Sequence, residues 1–225
     1  MTVNPGERDP VDFSVLFICT ANQCRSPIAE HLLRSEVALR DLSWSVASAG
    51  LEARPGQDMH PSAARILDRR GIDASGWTSR RVGPEMLAQA DLILTATEAH
   101  RGAVARLSPG AMARTFTLLQ FAYLIRSSHS AAGVPGTDPG RSLIGRAGSA
   151  RGNLQPLPPR SRDLADPMGH SFSRFRKCAA TIDQALSEVL AGQPAVASAL
   201  PVTNDVHRRA AETSRVPTLS DPPIG

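Results

Sequence analysis

The sequence predicts an α/β fold with a parallel sheet, and three observations lead to it. Short apolar runs that end abruptly alternate with amphipathic stretches of helical spacing. The chain has 225 residues, 41% of them hydrophobic and 20% charged, enough apolar side chains for a packed core. Only 3 of these residues are Cys, which excludes a disulfide scaffold as the source of stability.

Each element has its own signal. Phe13 to Cys19 is too short for a buried helix and reads as an interior strand. Ser26-Pro27 opens a helix: Ser can cap, Pro is tolerated at the first helical position, and Ile28, Leu32, Leu33 and Val37 recur at helical spacing. Trp44 to Ala49 is a second strand stopped at Gly50. His60 to Arg70 is helical, with Gly71 as its stop. Met86 to Ala90 is a short helix, Asp91 to Thr95 a third strand, and Glu98 to Leu107 a further helix. Thr115 to Leu118 is the fourth strand and leads into a helix carrying Phe121, Leu124 and Ile125. Such alternation implies right-handed βαβ units and a sheet covered on both faces, with ligands at the carboxyl ends of the strands.

From Ser127 to Arg162 the periodicity fades, with six Gly and five Pro and one short helix predicted at Ser142 to Arg151. Periodicity returns at Ser171 to Leu190, where Phe175, Cys178, Ala179, Ile182, Leu186 and Val189 share one face. The expected organisation is a flexible N-terminus (1–12), a catalytic domain (13–191) with an insertion-like segment at 127–162, and a disordered tail (192–225).

Net charge is +4, from 25 basic and 21 acidic residues. Arg141, Arg146, Arg151, Arg160 and Arg162, against Asp138 alone, concentrate charge in the 127–162 segment. No aromatic residue accompanies them, so a solvated basic loop is expected rather than a nucleic-acid partner. No apolar run reaches the roughly 18–20 residues of a membrane span, and the first 12 residues do not read as a secretory signal. No membrane partner is therefore expected, and the cytoplasm is the expected location. His31, His60, His100, His129, His170 and His207 are scattered without metal-ligand spacing, so most of them are expected at the surface, and neither a metal nor another cofactor is expected. Arg54, Arg80 and Arg81 read as solvated charges near the site mouth.

The chemistry lies at the end of the first strand, in Cys19-Thr20-Ala21-Asn22-Gln23-Cys24-Arg25-Ser26-Pro27. A Cys, five residues and an Arg between a strand and a helix suit a nest of backbone N–H groups around a tetrahedral oxyanion, at the positive end of the helix. Arg25 can bind two anion oxygens with its planar fork. Cys19 shares that positive field, which favours the thiolate, and Ser26 is placed to donate a hydrogen bond to it. The expected product is a nucleophile aimed at phosphorus, with residues 20–26 holding the phosphate.

This segment resembles the active-site segment of the low-molecular-weight protein tyrosine phosphatases, a family whose relatives include thioredoxin-coupled arsenate reductases. The similarity continues through Ser48-Ala49-Gly50, Gly71-Ile72-Asp73, Asp91 to Leu94 and Asp166-Pro167, about residues 13 to 190. The resemblance implies a three-layer α/β/α fold with a four-stranded parallel sheet and a two-step phosphomonoesterase mechanism on phosphotyrosine in protein or on a small phosphomonoester. It makes Cys19 the nucleophile, Arg25 the phosphoryl-binding residue and Asp166 the general acid, with Asp163, Asp138 and Asp221 as rivals for the last role. It further makes Asn22 and Ser48 supports of the loop, and Cys24 a redox partner of Cys19.

The chain departs from the family pattern in three places. Met168 and Gly169 follow Asp166-Pro167 where an aromatic is usual, Gln23 replaces a common apolar residue, and Trp77 stands where many bacterial members have a His. These changes bear on a tyrosine preference more than on hydrolysis. Two alternatives stand beside the phosphatase. An arsenate reductase would need relay cysteines, with only Cys24 and Cys178 at hand and Cys178 expected in the core. A phosphate- or phosphoprotein-binding module would need neither thiolate nor acid.

Overall fold

The computed structural model describes residues 13–128, 139–158 and 161–191. The N-terminus (1–12), the tail (192–225), and Asp138, Asp221, His129, His207 and Arg160 lie outside the described residues. Four strands, β1 (Phe13–Cys19), β2 (Trp44–Gly50), β3 (Leu92–Thr95) and β4 (Thr115–Thr117), form one sheet in the order β2-β1-β3-β4, with every pairing parallel. The helices are α1 (Arg25–Leu39), α2 (Pro61–Asp68), α3 (Pro84–Gln89), α4 (Glu98–Leu107), α5 (Leu118–Ser127), α6 (Pro139–Asn153) and α7 (Phe172–Leu190).

The unbroken apolar run of β1 follows from its position inside a sheet with both faces covered. Its odd positions, Phe13, Val15, Phe17 and Cys19, enter the larger core with side chains of α1, α5, α6 and α7. Its even positions, Leu16 and Ile18, enter a smaller core with Leu87 of α3 and Val104 of α4. The three-layer α/β/α architecture expected from the resemblance is the one observed. From β1 the chain moves to β2 on one side and later returns to β3 on the other. Strand order therefore reverses at β1, and its carboxyl end opens into the crevice where such sheets bind ligands.

One glycine is required there. Gly50 pairs with Cys19 at the end of β2, and a β-carbon on it would fall 2.5 Å from the Thr20 carbonyl oxygen and 2.8 Å from the Asn22 nitrogen. The Cys19 loop closes against β2 because this position has no side chain.

Two sequence expectations are corrected. Ser26 does not cap α1: Cys24 occupies the cap position, and the Ser26 hydroxyl faces Cys19 and Asn22 instead. Three of the four described arginines of the 127–162 segment, Arg146, Arg151 and Arg162, are partly buried and not simply solvated, while Arg141 is exposed as expected. α6 buries Leu143, Ala147 and Ala150, so the arginine stems run along the protein and their guanidinium groups reach carbonyls and rings. Arg146 donates to the Ile125 carbonyl at 3.2 Å, and Arg162 to that of Leu157 at 2.7 Å. Arg151 lies 4.0 Å over the Phe116 ring, and Arg141 pairs with Asp91 at 3.1 Å.

Candidate active site

The loop from Cys19 to Arg25 bridges the end of β1 and the start of α1. Asn22 takes a left-handed φ of 54°, a conformation Asn tolerates better than most residues, and this turns the loop back on itself. Its buried side chain then works in three directions. The amide nitrogen donates to Ser26 Oγ at 2.9 Å and to Ser48 Oγ at 2.8 Å, while the amide oxygen accepts from the Arg80 backbone N–H at 2.8 Å. Ser26 Oγ lies 2.9 Å from Cys19 Sγ. Because that oxygen accepts from Asn22, its own proton is shared between the sulfur and the more distant Ala49 carbonyl at 3.4 Å. The sequence places Asn22, Ser26, Ser48 and Cys19 in one site, and the structure brings all four together.

Beneath them lies a residue that the sequence reading missed. Glu30 is 1% exposed on the first turns of α1, yet its carboxylate accepts from Ser48 Oγ at 2.5 Å, Trp77 Nε1 at 3.1 Å and Arg80 at 3.0 Å on each oxygen. Arg34 completes its shell. A buried carboxylate is tolerated only with such a full set of donors. Trp77, noted above as a departure from the family pattern, thus supplies a donor to the loop-support network. Arg80, expected as a solvated charge, is part of the same support.

Asp166 meets Arg25 across the mouth of the loop, its Oδ2 accepting from the guanidinium at 2.6 Å. The arginine side chain is 6% exposed and the aspartate 47%, so one end of the pair is fixed and the other faces solvent. Asp166 Oδ1 also accepts from the Met168 backbone N–H at 3.1 Å. The segment before it is tied down by Leu164 N–H to the Ala96 carbonyl at 2.8 Å and by Asp163, which accepts from the Glu98 backbone at 2.8 Å. Asp163, a rival for the acid role, instead holds the start of α4.

His100 was also missed, since six scattered histidines carry no pattern. Its Nε2 is 2.9 Å from Thr20 Oγ1, and its Nδ1 is 2.8 Å from Thr97 Oγ1. Thr20 Oγ1 in turn accepts from Arg25 at 3.3 Å. Burial, with the Arg25 charge adding to it, pulls the His100 pKa down to about 4, so the ring is neutral near pH 7. The expectation of surface histidines is corrected at three positions. His31 and His100 are buried, and His60 caps α2 through Nδ1 while stacking on Phe175 at 4.6 Å.

The other two cysteines are protonated. Burial, then the neighbouring Cys19 and Asp166, push the Cys24 pKa up to about 12, and its Sγ lies 3.1 Å from Met168 Sδ. Burial raises that of Cys178 to about 11, and Cys178 sits in the larger core as expected. At the rim, Gln23 Nε2 donates to Gln57 Oε1 at 3.0 Å, and Met168 is 40% exposed. No group of three or more metal-ligating side chains, and no helix long and apolar enough to cross a membrane, occurs among the described residues.

The low molecular weight phosphotyrosine protein phosphatase family model matches residues 14–141, more than half of the chain. That match ends before Asp166, whose placement rests on the geometry above. The chain is 32% identical over 105 residues to the low molecular weight protein-tyrosine-phosphatase Ptp of Acinetobacter johnsonii, covering 47% of this chain and 71% of that protein. It is 37% identical over 82 residues to an arsenate reductase of Bacillus licheniformis, covering 36% of this chain and 55% of that protein. The solved structure of the YwlE arginine phosphatase from Geobacillus stearothermophilus superposes with a TM-score of 0.57 at 26% identity, covering 79% of this chain and 90% of that one. With the sheet order, the Cys19-to-Arg25 loop and the family match in agreement, this chain belongs to the low molecular weight phosphotyrosine protein phosphatase family.

Proposed function

We propose that the protein hydrolyses phosphorylated side chains of proteins through a cysteinyl-phosphate intermediate on Cys19. The observation that carries this reading is the 2.6 Å approach of Asp166 to Arg25, which puts a solvent-facing carboxyl group at the mouth of the loop that holds the thiol. Residues 20–26 supply the phosphate cradle, and Arg25 supplies the fork for two phosphoryl oxygens. Cys19 Sγ attacks phosphorus as the bond to the leaving atom breaks, and Asp166 gives that atom its proton. Asp166 then takes a proton from water, which attacks phosphorus and releases the Cys19 thiolate. Asn22, Ser26 and Ser48 hold the loop in the geometry both steps require.

The test is metal-free hydrolysis of p-nitrophenyl phosphate with EDTA present, by wild type, Cys19→Ser and Asp166→Ala. Turnover by wild type, none by Cys19→Ser and a loss of about 10²-fold or more for Asp166→Ala is the expected pattern. Full activity of Cys19→Ser would overturn the mechanism.

A second reading concerns the leaving group. The rim carries the Gln23–Gln57 carboxamide pair and Met168 instead of an aromatic, and a solved structural relative is an arginine phosphatase. This favours a leaving group that hydrogen-bonds, such as the guanidino nitrogen of phosphoarginine, over one that stacks. Comparing kcat/KM on phosphoarginyl and phosphotyrosyl versions of one peptide decides between them. Arsenate reduction has less support, because its relay needs a further thiol besides Cys24, and Cys178 is buried in the larger core. Cys24 keeps the role of redox partner in this proposal. Peroxide oxidises Cys19 to a sulfenic acid, and condensation with the Cys24 thiol expels water and closes a disulfide. Three free cysteines fit a reducing location such as the cytoplasm.

A further inference from the structure

α7 begins with cations where helix electrostatics favour acids. Its first turn has no acidic residue, and Arg174, Arg176 and Lys177 crowd its first two turns, against the positive end of the helix dipole. Across from them, the α2 residues Arg65 and Arg69 both lie over the Phe172 ring, at 4.8 Å and 5.2 Å. Two guanidinium groups sharing one ring repel each other. Among the described residues, none of these five cations has a carboxylate within ion-pair distance, whereas neighbouring Arg70 pairs with Asp183 at 3.2 Å. A ligand of opposite charge would relieve this repulsion.

The cluster is open to such a ligand and reaches the segment that carries Asp166. A cavity of about 270 Å³ is walled by Asp166, His170, Arg174 and Lys177. A second, of about 440 Å³, is walled by Arg69, Arg176 and Lys177, so Lys177 is the ridge between the two. The cationic surface therefore starts beside the acid of the active site and runs outward along α7 to α2. Phe172 already carries two guanidinium groups, and the surface adjoins the acid of a site read as acting on phosphorylated proteins, which favours an acidic peptide over a nucleic acid.

We propose that Arg174, Arg176 and Lys177 of α7, continued by Arg69 of α2, form the docking surface for an acidic segment flanking the phosphorylated residue of the protein substrate. The proposal rests on the phosphatase reading of Cys19 and narrows its substrates to phosphorylation sites in acidic sequence. Exposed charge pairs are individually weak and screened by salt, so several acting together set KM and encounter rate rather than the chemical step.

The experiment compares two synthetic phosphotyrosyl peptides that differ only in Glu or Gln flanks, and the same pair built on phosphoarginine. Each is measured with wild type and with the triple variant Arg174→Gln, Arg176→Gln, Lys177→Gln. For wild type at low salt, the acidic peptide is expected to show a kcat/KM about tenfold higher, through KM. High salt and the triple variant each abolish the advantage, while p-nitrophenyl phosphate kinetics stay at the wild-type level. Equal kcat/KM for the two flanks in wild type, or an advantage that survives in the variant, overturns the proposal. If wild type does not turn over p-nitrophenyl phosphate, the phosphatase reading fails by itself. Docking is then read from the fluorescence anisotropy of the unphosphorylated peptides, and no preference for Glu over Gln overturns it. A single-stranded oligonucleotide that binds more tightly than the acidic peptide also overturns it, in favour of nucleic acid.

Discussion

Arg80 and Glu30 meet through both carboxylate oxygens at 3.0 Å, and the same Arg80 gives its backbone N–H to Asn22 in the Cys19 loop. One residue thus clamps the loop from its main chain and anchors the clamp from its side chain. Arg80→Ala keeps the first contact and loses the second. Its guanidinium is partly exposed, so the expected loss is modest, about 1–2 kcal/mol. Glu30→Gln puts an N–H₂ among donors in a buried site and is expected to remove about 3 kcal/mol. Urea denaturation measures both, and wild-type stability of Glu30→Gln would sink this account of the network.

Asn22 combines a positive φ with three side-chain hydrogen bonds, and two substitutions separate these contributions. Asn22→Ala loses both, and turnover of p-nitrophenyl phosphate is expected to fall about 10²-fold as the loop loses its geometry. Asn22→Gly relieves the backbone conformation and recovers about 1 kcal/mol of stability relative to Ala. Its turnover should stay low. Recovery of activity in the Gly variant would assign the role to φ alone.

His100 links folding stability to pH. Its folded-state pKa of about 4 lies below the ordinary 6.5, so the unfolded chain takes up the proton first. The stability held by the neutral ring is complete above pH 6.5 and is lost as pH falls toward 4. His31, also shifted down by burial, acts in the same direction. His100→Asn removes one proton-linked group, so its stability should decline less than that of wild type between pH 7 and pH 5. The expected difference is about 1–2 kcal/mol, read from denaturation midpoints at the two pH values. Parallel declines would show that the ring is not held neutral.

Met168→Tyr puts an aromatic ring at an exposed rim position. Ring–ring contact of about 0.5–1.5 kcal/mol predicts a KM for aryl phosphates lower by roughly 2- to 10-fold. KM for an alkyl phosphate should not move. An equal change on both substrates would mean that the new side chain acts on the loop and not on the ring.

Gly140 tests α6. A β-carbon there would fall 2.3 Å from the buried Phe13 ring, which has no room to move away. Gly140→Ala is expected to destabilise the protein by about 1–3 kcal/mol through overpacking. Kinetics on p-nitrophenyl phosphate below the melting transition should be unchanged.

The sequence by itself determined what contiguous residues can encode. Apolar runs and helical periodicity predicted all four parallel strands and the buried face of α7, with boundaries shifted by at most one residue. Cys19, Arg25 and Ser26 were legible because they share one loop, in which residue type and spacing have a local physical use, while the support role of Asn22 came from the resemblance. The 127–162 segment was only partly legible. Its Gly and Pro content masks the period of α6, and its arginines are held by carbonyls and rings that no local pattern reveals.

Tertiary structure decided the rest. Glu30 reads as an ordinary helix residue until Ser48, Trp77 and Arg80 arrive from β2 and the stretch before α3. His100 meets Thr20 across 80 residues of sequence, and Asp166 meets Arg25 across 141. Buried charge and its partners come from different elements, because a carboxylate leaves water only where several donors converge. That convergence exists only once the sheet has brought the strand ends together.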